Sequence, residues 1–281
     1  GTCNQFAHAA ARAVATNPSR SYNPLFIYGG VGMGKTHLLQ AIGSEMLARY
    51  PGLRILYTSG ERFMNDMIAC IRSNTMPAFQ RYYRSADVLL IDDVQIIAGK
   101  ERTQEEFFHT FNELHEHQKQ IVLSSDAPPK ALSGLVERLR SRFEWGLIVD
   151  VQPPDLETKI AILKRRSDAE GIDLPEDVLA YMASKTRSNM RELEGAFVKL
   201  VAFSSMTNTP ISLPIAQQVL KHLVQAPEKR VSSESIVRAV ANHFGLTPGQ
   251  IRQKSNTHQI AYPRQIAMYL MKEMTHASSP S

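Results

Sequence analysis

Cysteine is scarce. Cys3 and Cys70, the two cysteines among 281 residues, give neither a metal-binding spacing nor a disulfide framework, so a reducing cytoplasm is the expected setting. No apolar run reaches the length of about 20 residues that a membrane-spanning helix needs, and no signal-peptide pattern opens the chain. An initiator Met is also missing. The sequence starts at Gly1 and stops in Ala277-Ser278-Ser279-Pro280-Ser281, as a fragment of a longer protein is expected to do. Excess charge is absent from the first 228 residues, which carry 25 basic and 25 acidic side chains. The whole net charge of +5 lies in residues 229–281, where seven Lys/Arg face only Glu234 and Glu273. A neutral body with a basic C-terminal module points to a polyanion partner for that module. The length allows two domains, and 43% apolar content can fill their cores.

The chemistry centres on Leu25-Phe26-Ile27-Tyr28-Gly29-Gly30-Val31-Gly32-Met33-Gly34-Lys35-Thr36. An apolar strand pattern runs into Gly-x-x-x-x-Gly-Lys-Thr, and a helical pattern begins at His37. That order is a P-loop. Its glycines let the backbone N–H groups of residues 29–37 turn toward phosphate oxygens, beside a helix N-terminus of partial positive charge. Lys35 is placed to reach the β and γ phosphates of ATP or ADP, and the Thr36 hydroxyl to hold Mg²⁺.

Strand patterns follow at 54–58, 88–93, 120–125 and 147–151, and helical patterns at 61–71, 76–84 and 103–118. This alternation predicts an α/β fold with a parallel sheet flanked by helices. Ligands of such sheets sit at the C-terminal strand ends, where Gly29, Asp92 and Asp126 converge. Asp92 is then a Mg²⁺ ligand, directly or through water, Asp93 a residue that orients or deprotonates the attacking water, and Asp126 a polar sensor of the γ phosphate.

Several patterns have two readings. The first helix, 4–16, has apolar residues at Phe6, Ala9, Ala10, Ala13 and Val14, and either packs plainly or walls the base pocket. Phe79, Arg81, Tyr82, Tyr83 and Arg84 suit single-stranded nucleic acid, but spacing favours a packed helix with solvated arginines. Phe107, Phe108, Phe111 and Leu114 read as core. Arg138, Arg140 and Arg142 form either a surface helix or a cation source for a neighbouring subunit's phosphate.

Beyond Gln152-Pro153-Pro154 only helical patterns remain, at 155–170, 175–185, 189–205 and 213–224, which predicts a helical lid. Asn189-Met190-Arg191-Glu192 reads as a helix start with Arg191 in the first turn. A hinge is expected at 225–230, then helices at 233–244, 247–252 and 263–274, with Pro263 in a first turn. The predicted domains are therefore 1–151, 152–225 and 226–281.

P-loop, Asp-Asp strand, polar sensor, arginine cluster and capped-helix arginine, in this order, resemble the AAA+ ATPases. Within them, the stretches 23–38, 86–95, 105–112, 138–146 and 191–196 resemble the bacterial DnaA replication initiators over essentially the whole chain. The resemblance implies an AAA+ α/β subdomain, an all-α lid and a partial helix-turn-helix-type domain. It implies that Arg142 is an arginine finger touching ATP on the adjacent protomer, that Arg191 is the second sensor, and that Asp126 is the first. It implies that residues 61–84 grip single-stranded origin DNA, with Met64 and Arg81 as contacts. It further implies that residues after about 230 begin a duplex-binding domain, with Lys254 and Arg264 near phosphate.

Two departures from the family stand out. The loop 253–258 has one lysine and one histidine where several arginines are usual, and the chain stops before the Asp-His-Thr-Thr recognition helix. Box-specific duplex binding is therefore expected to be impaired. The implied activity is slow ATP hydrolysis that switches off an ATP-dependent assembly on origin DNA. The implied partners are the duplex DnaA box, single strands, other copies of the chain, the replicative helicase through a region preceding this sequence, and acidic phospholipid. An AAA+ helicase loader and a DnaA-like regulatory ATPase are the alternatives. The basic module after Lys229 counts against both, and the arginine cluster and lid count against a metabolic P-loop kinase.

Overall fold

A computed structural model of the protein describes residues 4–186, 190–224, 233–253 and 257–275. Strands β1 (Leu25–Tyr28), β2 (Ile55–Ser59), β3 (Val88–Asp92), β4 (Gln120–Ser125) and β5 (Leu147–Asp150) form one sheet in the order β2-β3-β4-β1-β5. Every pairing is parallel. Parallel neighbours require crossovers, here helices α2 (Lys35–Arg49), α3 (Gly60–Arg72), α4 (Met76–Arg84), α5 (Glu101–Glu116) and α6 (Glu137–Glu144), while α1 (Gln5–Thr16) precedes β1.

The strand period of two sorts side chains between two cores. Phe26, Leu89, Ile91, Ile121 and Leu123 face α3 to α6, where Phe63, Phe79, Tyr83, Phe107, Phe111 and Phe143 fill the layer. Phe63 lies edge-on to Phe79, Tyr83 and Phe107, at centroid distances of 5.1, 4.8 and 5.3 Å. Leu25, Ile27, Val88, Leu90, Val122 and Val149 face α1 and α2. By the same parity Asp92, Ser124 and Tyr57 lie on the α2 side, beneath the P-loop helix.

A third core joins α7 (Leu156–Glu170), α8 (Glu176–Lys185), α9 (Met190–Thr207) and α10 (Leu213–Val224) around Phe197 and Leu200. Residues 1–223 form one unit and residues 224–281 another. In the second, α11 (Ser233–His243), α12 (Pro248–Arg252) and α13 (His258–Thr275) pack through Ile236, Val240, Ala241, Ile251 and Ala267. Thr247 and Gln250 form a reciprocal capping box at the start of α12. Among the described residues no helix is long and apolar enough to cross a membrane.

Two sequence expectations need correction. The buried face of α1 is Ala7, Ala10, Ala11, Val14 and Ala15, while Phe6 is 61% exposed and Ala9 is exposed. Its small side chains can approach α2 closely, so close packing, not bulk, selects the face. The last helix starts at His258, five residues before Pro263. Ile260 and Ala261 already donate to Thr257 O at 2.9 Å, so the proline removes only the one bond that Gln259 O would accept near the helix start. The expected Asn189 cap, the 225–230 hinge and Lys254 lie outside the described residues.

Candidate functional site

The loop after β1 is shaped by its glycines. Gly32 and Gly34 have φ of 75° and 95°, the left-handed region where a side chain is strained. At Gly29 a Cβ would stand 2.5 Å from Val151 O, so the loop can lie against the end of β5 only without a side chain. Lys35 opens α2 and is 6% exposed. Its Nζ donates to Gly29 O (2.8 Å), Gly30 O (3.0 Å) and Asp126 Oδ1 (2.7 Å). The ammonium thus sits inside the loop with its three donors occupied.

A cavity of about 560 Å³ opens over this loop. Val31, Gly32, Met33, Gly34, Lys35, Thr36 and His37 line it from below, Asp93 and Asp126 from the strand ends, and Met190, Arg191 and Glu194 from the lid. That volume is within the range of small-molecule sites. The lid is tied to the loop directly, because the Met190 N–H donates to Gly32 O at 3.0 Å.

The two aspartates after β3 differ. Asp92 is buried, and each carboxylate oxygen has a hydroxyl donor: Ser124 Oγ to Oδ1 and Tyr57 OH to Oδ2, the latter at 3.2 Å. Burial first, and then the Asp92 charge, push the Tyr57 phenol above its usual value, which keeps that donor protonated. Asp93 leaves the strand at φ 52°, in the left-handed region, with its N–H donating to Ser124 Oγ at 3.0 Å. Its side chain lines the cavity. Gln95, on the 3₁₀ turn Val94–Ile97, donates from Nε2 to Asp93 Oδ1 (3.1 Å) and to Asp126 Oδ2 (3.0 Å).

The expected site residues thus divide. The loop residues 31–37, Asp93, Asp126 and Arg191 meet around one cavity, Gly29 and Gly30 join it only through their carbonyls' bonds to Lys35, and Asp92 lies below it. Arg142 lies outside the cavity, on α6. Its guanidinium is 4.2 Å from the Trp145 ring centroid and 5.7 Å from that of Phe108. Trp145 is 61% exposed and stacks on His115 at 5.0 Å, while Arg138 lies 4.8 Å over Phe108. Met64 borders a separate groove of about 740 Å³ between α3 and the start of α5, with Met67, Ile68, Ile71, Arg72, Lys100 and Arg102. Arg81 is exposed on α4 away from that groove, and Phe79 and Tyr83 beside it belong to the core. Arg264, in the C-terminal unit, donates to Gln253 O at 2.8 Å.

Sequence reading missed Gln95, Tyr57, Ser124, Gln40 and Glu194 around the cavity, and Arg72, Lys100 and Arg102 at the groove. Only the β3–β4 register, which pairs Ile91 with Leu123 and so sets Ser124 beside Asp92, could have pointed to one of them.

Family models match in three consecutive blocks: the bacterial DnaA ATPase domain over residues 1–150, the Hda lid domain over 156–220, and the bacterial DnaA helix-turn-helix over 233–281. Domain III of the Thermotoga maritima replication initiation protein DnaA is 45% identical, covering 80% of this chain and 94% of that one, with a TM-score of 0.77. AMPPCP-bound DnaA from Aquifex aeolicus is 37% identical over 99% of this chain and 81% of that one, with a TM-score of 0.68. A replication initiator DnaA bound to AMPPCP and single-stranded DNA is 36% identical with the same coverage and TM-score. With its ATPase, lid and helix-turn-helix segments all matched in order, the chain belongs to the bacterial DnaA family of AAA+ replication-initiator ATPases.

Proposed function

We propose that this chain is an ATP-switched origin-binding initiator whose nucleotide site is completed by a second copy. The observation that carries the reading is the split arrangement of cations. Lys35 and Arg191 border the cavity, whereas Arg142 is held on an aromatic surface outside it. An arginine so placed is suited to a phosphate bound by another protomer, so ATP would join copies and ADP would release them.

In this reading the loop N–H groups and Lys35 bind the β and γ phosphates, and Arg191 reports the nucleotide to the lid through the helix that starts at Met190. Asp93 takes a proton from the attacking water, and Asp126 senses the γ phosphate. The donors fit a Mg²⁺ that keeps most of its shell from water and phosphate: Thr36 borders the cavity, and Asp92 stands below it. Because both Asp92 oxygens already accept from hydroxyls, that residue suits contact through water better than direct ligation. Such an ion would neutralise charge on the triphosphate.

Single-stranded DNA is assigned to the groove of Met64, Ile68 and Ile71, where Arg72, Lys100 and Arg102 offer phosphate partners beside apolar surface for bases. Arg81 is then a phosphate contact on the neighbouring face. In the C-terminal unit Lys254 and Arg264 are assigned to duplex phosphate. We divide the chain functionally at 1–151, 152–225 and 226–281. The match over 233–281 to the bacterial DnaA helix-turn-helix favours an initiator over a regulatory ATPase.

Sedimentation velocity in ATP and in ADP, with and without a thymidine homopolymer, tests the reading. Larger species only with ATP, and retention of the homopolymer only by those species, are expected. Identical sedimentation in both nucleotides contradicts it.

A further inference from the structure

One side chain links two of the carboxylates that line the cavity, Asp93 and Asp126, and nothing in the proposed mechanism uses it. Gln95 Nε2 donates to Asp93 Oδ1 at 3.1 Å and to Asp126 Oδ2 at 3.0 Å. A primary amide has two N–H groups, and both are spent on this bridge. The orientation of the amide is fixed by its partners, since the reverse would set a carbonyl oxygen against two carboxylates. The remaining polar atom, Gln95 Oε1, is buried and accepts no hydrogen bond among the described residues. An unsatisfied buried acceptor costs stability. That cost is tolerated here at a turn whose preceding residue, Asp93, is itself held in the left-handed region.

We infer that Gln95 is a positioning residue for hydrolysis, holding Asp93 and Asp126 in one fixed arrangement through the exchange that nucleotide binding imposes on Lys35. Asp126 is shared: Oδ1 accepts from Lys35 and Oδ2 from Gln95. When Lys35 turns to the phosphates, Asp126 loses its cation and Gln95 remains as its donor. The same amide then keeps Asp93 and Asp126 in register, although like charges at that separation would otherwise draw apart. The inference rests on the roles proposed above for Asp93 and Asp126.

The test is a split between binding and turnover in Gln95→Met, which keeps the length of the side chain and removes both donors. ATP affinity, read by equilibrium titration, should stay within about threefold, while the single-turnover hydrolysis rate should fall at least about tenfold. Gln95→Glu, which adds a third carboxylate, should lose more of the rate than Gln95→Met. This second variant also carries the test if the first does not fold. Hydrolysis within about twofold of the parent in the folded variant overturns the inference, as does a loss of ATP affinity as large as the loss of rate. Asp93→Asn in parallel separates the two levels. If it loses hydrolysis while Gln95→Met does not, the inference alone falls; if it keeps hydrolysis, the base assignment falls and the inference with it.

Discussion

Replacing Lys35 by alanine should remove most of the affinity for ATP without unfolding the protein. The Lys35 Nζ has three acceptors within the protein, two of them backbone carbonyls of its own loop. Phosphate oxygens offer it charge-assisted contacts instead, worth about 1.5–3 kcal/mol each, so contact with two phosphates contributes about 3–6 kcal/mol. Against this stands the ion pair with Asp126, whose carboxylate is 40% exposed and whose loss therefore costs only about 1 kcal/mol. The difference, about 2–5 kcal/mol, corresponds to a weakening of about 30-fold to several thousandfold. Equilibrium titration with a fluorescent ATP analogue measures it, and urea denaturation without nucleotide checks that the fold survives. Because bound ligand stabilises by RT ln(1 + [L]/Kd), the variant should also lose the rise in Tm that ATP gives the parent. A dissociation constant within about threefold of the parent would refute the assignment of Lys35 to the phosphates.

Other consequences follow from the same geometry. Arg142→Ala should leave ATP affinity within about threefold and abolish ATP-dependent growth in sedimentation, because Arg142 borders its own cavity nowhere. Gly146→Ala should cost about 3 kcal/mol or more in urea denaturation, since a Cβ there would lie 1.8 Å from Pro24 O, where β5 begins beside β1. Asp87 accepts from Lys119 Nζ (2.6 Å) and the Arg54 N–H (2.9 Å), which hold its pKa below the usual 3.8. A depressed folded-state pKa contributes stability above the unfolded value that is lost as pH falls through the folded one. Asp87→Asn should therefore cost up to about 1 kcal/mol at pH 7, and the difference should close as the pH falls from the unfolded value of 3.8 through the lower folded one.

Local rules read much of the nucleotide site. A Gly-rich loop between strand and helix, and carboxylates at strand ends, are fixed by chain connectivity, so Lys35, Asp93 and Asp126 meet where sheet topology requires. Arg191 was legible as a first-turn residue, but its place over the loop depends on the lid bond from Met190 to Gly32, which no spacing encodes. Gln95 was not legible because its bonds run across a 3₁₀ turn to another strand. Sequence order separated Asp92 from Asp93 by role but not by burial. Strand parity buries one against Tyr57 and Ser124, and a left-handed residue turns the other into the cavity. The face of α1 was misread because alanine leaves hydrophobic spacing nearly flat, and the groove cations were overlooked because Arg72 and Lys100 belong to different helices' ends.

The central claim is that ATP joins copies through the surface that carries Arg142, and Trp145 reports on it directly. It is the only tryptophan in the chain, 61% exposed, with Arg142 4.2 Å from its ring. Emission and acrylamide quenching of Trp145 should be recorded at rising protein concentration in ATP and in ADP. With ATP alone, the emission should shift to shorter wavelength and quenching should fall as assembly proceeds. Emission and quenching that stay the same in both nucleotides while large species form would contradict the account, because assembly would then use another surface.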